Sequence, residues 1–104
     1  MLVAYQVGLD LVRALRPVVE QMKLHDRELY NQTTRAGTSV LLNLAEGNRR
    51  TGGDRKRLFV YAQGSAAEIK AAIDVADAWG WTVDASAVKP ILDRLMGLLW
   101  GLTR

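Results

Sequence analysis

The chain has 104 residues, 49% of them hydrophobic and 24% charged, which fits one globular domain spanning residues 1–104. It is too apolar for a disordered chain, and its longest charge-free stretch, Ala36 to Ala45, is about half of what a membrane span needs. No cysteine and a single histidine exclude disulfides and thiol chemistry and leave the usual zinc and copper sites without ligands. No basic residue precedes Arg13, so no secretory leader is expected, and a cytoplasmic protein without cofactor is the expectation.

Helical period runs through almost the whole sequence. Gly8, Leu11, Leu15, Val18 and Met22 form one apolar stripe, with Tyr5, Val12 and Val19 beside it. Pro17 interrupts this segment, but the stripe keeps phase across it. The spacing predicts a kinked helix or two pieces in register. Lys23-Leu24-His25-Asp26 reads as a turn, with Asp26 capping the next helix.

Leu29, Thr33, Ala36, Val40 and Leu44 carry the second stripe, and Gly47 suits a left-handed position that would close the helix. The segment 48–53 holds no apolar residue and predicts a loop, after which Thr51 and Asp54 resemble a weak capping box. The third segment is the most regular: Leu58, Ala62, Ser65, Ile69, Ala72, Ala76 and Trp79, with Phe59, Ala66 and Ile73 alongside. Gly80 ends it, and Trp81 is placed to fold back on Ala76 in a Schellman-type stop. Asp84 or Ser86 is expected to cap a last helix with Pro90 in its first turn and a core face from Val88 to Leu102. Four amphipathic helices joined by short turns predict an all-α, antiparallel up-down four-helix bundle, with breaks near residues 23–26, 47–53 and 80–86.

Chemistry has little to work with. His25 lies in a turn, where an exposed residue beside a cap is the simpler reading and a general base with Asp26 or Glu28 the alternative. Ser39 and Ser65 have no base at motif spacing. The Gly47–Gly53 segment fails as a phosphate loop, because Gly53 and Asp54 stand where a lysine and a hydroxyl are required. A hydrolase using Glu46 and Glu68 as paired carboxylates needs both in one cleft. The protein is therefore expected not to be an enzyme.

Two surfaces stand out. Arg49, Arg50, Arg55, Lys56 and Arg57 place five positive charges in nine residues with only Asp54 between them, against +3 for the whole chain. A flexible loop leading into a helix start can offer such groups to phosphates, reading backbone and not bases; a solvated corner is the plainer alternative. Gln32, Arg35, Ser39, Asn43 and Glu46 form a polar row suited to hydrogen bonding across subunits, or an ordinary wet face. Gly64 and Ser65 open a run of small residues in mid-helix that suits close helix approach, within the subunit or between subunits. The apolar and small surface of the second and third helices exceeds one narrow stripe, which predicts a homo-oligomer.

The segments Gln32-x-x-Arg35-Ala36-x-x-Ser39-Val40-x-x-Asn43-Leu44-Ala45-Glu46-Gly47 and Ala62-x-Gly64-Ser65-Ala66-x-Glu68, separated by an Arg/Gly-rich turn, carry a resemblance over nearly the whole chain. They resemble the four helix bundle protein family, first named from proteins encoded in intervening sequences of bacterial 23S ribosomal RNA genes. The resemblance implies an up-down subunit assembled as a ring-shaped homopentamer. It also relates the chain to the accessory variability protein of diversity-generating retroelements, a basic pentamer that binds a reverse transcriptase and nucleic acid. No catalytic residues are carried by the family. The expected partners are thus a second copy, RNA or DNA, or a reverse transcriptase. The expected interface residues are Gln32, Arg35, Ser39, Asn43, Glu46, Gly64, Ser65 and Glu68, with the five cations as the nucleic-acid contact.

Overall fold

The computed structural model describes residues 2–104; Met1, the first residue of the expected domain, lies outside them. Four helices follow in chain order: α1 Val3–His25, α2 Arg27–Asn48, α3 Gly52–Ala78 and α4 Val88–Thr103. Among the described residues there is no strand, and no helix is long and apolar enough to cross a membrane. Helices α1 and α2, α2 and α3, α3 and α4, and α4 and α1 pack on each other, enclosing one core in a body of 43 × 22 × 20 Å.

The predicted stripes form that core. Gly8, Leu11, Leu15, Val18 and Met22 of α1 are buried, as are Leu29, Thr33, Ala36, Val40 and Leu44 of α2. Phe59, Ala62, Ala66, Ile69, Ala72, Ile73 and Ala76 come from α3, and Val88, Leu92, Leu95 and Leu99 from α4. The buried hydroxyl of Thr33 donates back to the Leu29 carbonyl at 2.8 Å, so the core carries no unmet polar group there. Pro17 sits inside one continuous α1, on its exposed side, where a missing N–H costs the core nothing.

The helix ends correct several expectations. The first turn shrinks to a single residue: helix continues through His25, and Asp26 alone breaks it, accepting from the Glu28 N–H at 3.1 Å. Gly47 does not close α2 in a left-handed conformation; it is helical and buried, and Asn48 ends the helix one residue later. Its role is proximity. A Cβ at Gly47 would lie 2.7 Å from Phe59 Cε1 and 2.9 Å from Cδ1, so only a hydrogen lets the Phe59 ring pass between α2 and α3.

The left-handed residue of this turn is Gly52, φ +59°. Thr51 occupies the N-cap of α3 without donating or accepting a side-chain cap bond, so the expected capping box does not form. At the far end of α3 the expected stop is present. Gly80 has φ +76°, its N–H reaches the Asp77 carbonyl at 3.0 Å, and the Trp81 N–H reaches the Ala76 carbonyl at 3.0 Å.

Trp79, expected in the α3 core stripe, is 71% exposed: the helix ends there, before the indole can turn inward. Neither Asp84 nor Ser86 caps α4. Asp84 accepts from the Ser86 N–H at 3.0 Å, while the Ala85 carbonyl receives the Val88 and Lys89 N–H groups. Hydrogen bonding from Ser86 holds the Asp84 carboxyl below its ordinary value. Pro90 falls in the first turn of α4, where its missing N–H has no intrahelical partner to lose.

Candidate functional site

Two of the expected surfaces share the helix pair α2–α3, one midway along it and one at its turn. Midway, Ser65 of α3 donates to Ser39 Oγ of α2 at 2.8 Å. The Asn43 amide of α2 donates to the Ser39 carbonyl at 2.9 Å and to its Oγ at 3.0 Å. These three residues make a polar seam on the outer side of the helix pair, each half-buried. Small side chains are what let the hydroxyls meet: a bulkier residue at either serine would fill the seam and remove the bond.

Open hollows flank the seam. One, of about 370 Å³, is lined by Gln32, Arg35, Ala36, Ser39, Ser65 and Glu68. Its neighbour, of about 440 Å³, shares Ser39, Ser65 and Glu68 and adds Asn43, Val60, Tyr61 and Gly64. Seven of the eight residues read from the sequence as one surface therefore do lie together. The eighth, Glu46, does not: it lines neither hollow and turns to the arginines of the basic turn.

The small run is used within the chain at Ser65 and Ala66, which meet α2 and the core, but not at Gly64. Nothing lies within 4 Å of where its Cβ would be, so no helix of this chain approaches it. Val60 and Tyr61, which line the same hollow as Gly64, are 44% and 51% exposed, and Leu42, in the adjoining hollow that shares Ser39 and Asn43, is 65% exposed. Sequence reasoning missed these three. Their positions fall off the core stripe, and only the orientation of both helices puts them on one side.

At the turn, four of the five expected cations have local partners. Arg50 pairs with Glu46 through both its Nε and Nη2, and Arg49 reaches the same carboxylate at 3.8 Å. Arg57 meets Asp54 at 3.4 Å and lies over the Tyr61 ring, 5.8 Å from its centre. Arg55 donates to the Gly47 carbonyl at 3.3 Å and lies 4.7 Å from the centre of the Phe59 ring. Lys56 is exposed and has no partner.

Hydrogen bonding and charge from Arg50, with a smaller contribution from Arg49, hold the Glu46 carboxyl below its ordinary value and raise Arg50. Residues 46–57 thus carry five positive and two negative side chains. The corner keeps a positive excess, and its ion pairs are exposed ones of small individual strength. As for the carboxylate pair weighed in the sequence, Glu46 is ionised beside arginines and Glu68 lines the separate hollows.

No curated protein matches the chain. A family model does: residues 1–99 match that of the 23S rRNA-intervening sequence protein. With almost the entire chain covered and all four helices in place, the protein belongs to the 23S rRNA-intervening sequence protein family.

Proposed function

We propose that this protein is a non-enzymatic, cytoplasmic scaffold whose antiparallel subunits assemble into a ring-shaped homopentamer through the outer side of the α2–α3 pair. Each subunit then offers its basic turn to the phosphates of RNA or DNA. The observation that carries the reading is the open Gly64 beside the exposed Val60 and Tyr61, with the exposed Leu42 in the adjoining hollow. A mid-helix glycine costs about 1 kcal/mol relative to alanine, and nothing within the chain compensates for it. A neighbouring subunit laid against that side would. The number five rests on the family resemblance, not on the geometry.

Repetition by symmetry gives the corner its use. A single cluster with an excess of three positive charges binds nucleic acid weakly, but five on one body engage a strand together. The existing pairs do not prevent this, since an exposed ion pair worth about 0–1 kcal/mol exchanges readily for a phosphate. The Phe59 ring is buried and Arg57 lies over one face of the Tyr61 ring, so the corner's contacts are mainly to phosphates. Binding should therefore be insensitive to sequence.

A second reading is favoured by the local pairing itself. With Arg50, Arg57 and Arg55 engaged inside the chain, the corner acts only in solubility, and the polar seam docks a partner protein such as a reverse transcriptase. Salt separates the two. Phosphate binding predicts a log–log slope of roughly −2 to −3 for each corner in contact, and loss of binding when Arg49, Arg50, Arg55, Lys56 and Arg57 are changed to Ser with the oligomer intact. Absence of any shift with single- or double-stranded nucleic acid at low salt rejects the first reading in favour of the second.

A further inference from the structure

A subunit that covers its α2–α3 side with a second copy can meet either the same side of that copy or a different one. The same side is a poor match. It presents hollows of about 370 and 440 Å³, and two facing hollows leave their space unfilled. Both hollows are lined by Glu68, which has no cationic partner among the described residues. Arg35, the other charged residue lining them, already reaches Glu28 at 3.8 Å. What fits such a surface is a protruding apolar group that brings a positive charge with it.

Helix α4 carries one. Its exposed residues from Asp93 onward are Asp93, Arg94, Gly97, Trp100, Gly101 and Arg104, at helical spacings that set them on one side. Trp100 is 58% exposed, and the Arg104 guanidinium lies over its ring, 4.4 Å from the centre. Neither Arg94 nor Arg104 has a carboxylate partner among the described residues. The other exposed indole, Trp79, differs: it stacks on Trp81 at 6.1 Å, and Trp81 stacks on His25 at 5.6 Å.

The glycines beside Trp100 repeat what is seen at Gly64. Gly97 and Gly101 are helical, and nothing lies within 4 Å of where either Cβ would be. Gly8, Gly37 and Gly47 have packed side chains at that place, while Gly52 and Gly80 take left-handed conformations. Beyond the first turn of a helix, only Gly64, Gly97 and Gly101 are left without a neighbour. Bare backbone on both sides leaves the indole of Trp100 standing out from α4. Measured from the loop that joins the two helices, Gly64 lies about 21 Å along α3 and Trp100 about 18 Å along α4.

We propose that the α4 side of one subunit covers the α2–α3 side of the next, with the Trp100 indole seated in the hollow beside Gly64. The Arg104 guanidinium, carried on that ring, would turn to Glu68. In antiparallel subunits set side by side around an axis along the bundle, the two surfaces meet at one height. The contact is head to tail, so every subunit uses both surfaces and the assembly closes into a ring. The proposal rests on the α2–α3 side being a subunit interface, and not on the number five or on the basic turn.

Cysteines placed in this cysteine-free chain test it. Val60 lines the hollow and is exposed, and Gly101 has nothing against it, so Val60→Cys and Gly101→Cys should both fold. Co-expressed and treated with a short bismaleimide, the two variants should give pairs of chains joined between positions 60 and 101, located by peptide mass spectrometry. Either variant alone should give none. Trp100→Ala, checked for helicity by circular dichroism, should lower the apparent association constant roughly tenfold by light scattering over a dilution series. Glu68→Arg should weaken association, and adding Arg104→Glu should restore part of it. A one-chain mass for wild type would overturn the interface reading and this proposal together. If wild type assembles, this proposal alone falls on any of four results: Val60→Cys chains that cross-link to each other, no mixed 60–101 pair, association unchanged by Trp100→Ala, or no rescue by Arg104→Glu.

Discussion

Two glycines of the α2–α3 pair show how differently one residue type is used in one helical hairpin. Gly47 is buried, and a Cβ there would meet the Phe59 ring at 2.7 Å; Gly64 has open space where its Cβ would be. The first is explained within the chain, because the ring it admits is fully buried and closes the turn end of the core. The second has no explanation inside the subunit. In the assembly proposed above, a neighbouring subunit would lie against it.

The largest effect that would sharpen this contrast is Phe59→Ala, expected to cost about 3–5 kcal/mol in chemical denaturation. It should also free Arg55, which rests on the ring. Gly47→Ala alone should cost about 1–3 kcal/mol by overpacking, against its better helix propensity. Combined with Phe59→Ala it should cost far less than the sum, because the clash has gone. An additive double variant would break the account of Gly47.

Gly64→Ala should do the reverse. With nothing to meet, the methyl group should stabilise an isolated subunit by about 0.5–1 kcal/mol. A destabilised subunit, measured under conditions where it is monomeric, would mean that the space at Gly64 is filled by the chain itself.

The smallest effect concerns pH. The folded-state pKa of Glu46 lies below its ordinary value of 4.5 because Arg50, and to a lesser degree Arg49, favour the carboxylate. The stability this contributes is fully present above the unfolded value and is lost as pH falls below it through the folded value. Glu46→Gln should therefore flatten the stability profile below about pH 5 and leave the profile near neutrality parallel to wild type. A profile of unchanged steepness at low pH would show that the Arg50 pair contributes nothing.

The helices were legible in the sequence because each buries a stripe that recurs at helical spacing; every residue of the first two stripes is buried. The Asp26 cap and the Gly80 stop were legible because both are local chemistry, settled within a few residues. Gly47 was misread for the same reason that Gly80 was read correctly. A glycine near a helix end looks alike in both cases, and only Phe59, twelve residues on, distinguishes close packing from a left-handed turn. Trp79 continued the period of α3, but a period does not show where the helix stops.

Of the candidate surfaces, the polar row and the cations were visible as side-chain types. Their partners were not, so Glu46 was grouped with Ser39 when it belongs with Arg50. The exposed Val60, Tyr61 and Leu42, and the stack of Trp79, Trp81 and His25, depend on how helices lie against each other, which spacing along one chain does not encode.

The most direct test of the account is the mass in solution, by multi-angle light scattering at micromolar concentration, of wild type beside Gly64→Arg. Arginine is a good helix former and meets nothing in the isolated subunit, so that variant should fold. The account predicts five times 11.5 kDa for wild type and a fall toward 11.5 kDa for Gly64→Arg. Wild type at 11.5 kDa, or an assembly that Gly64→Arg leaves unchanged, would contradict it.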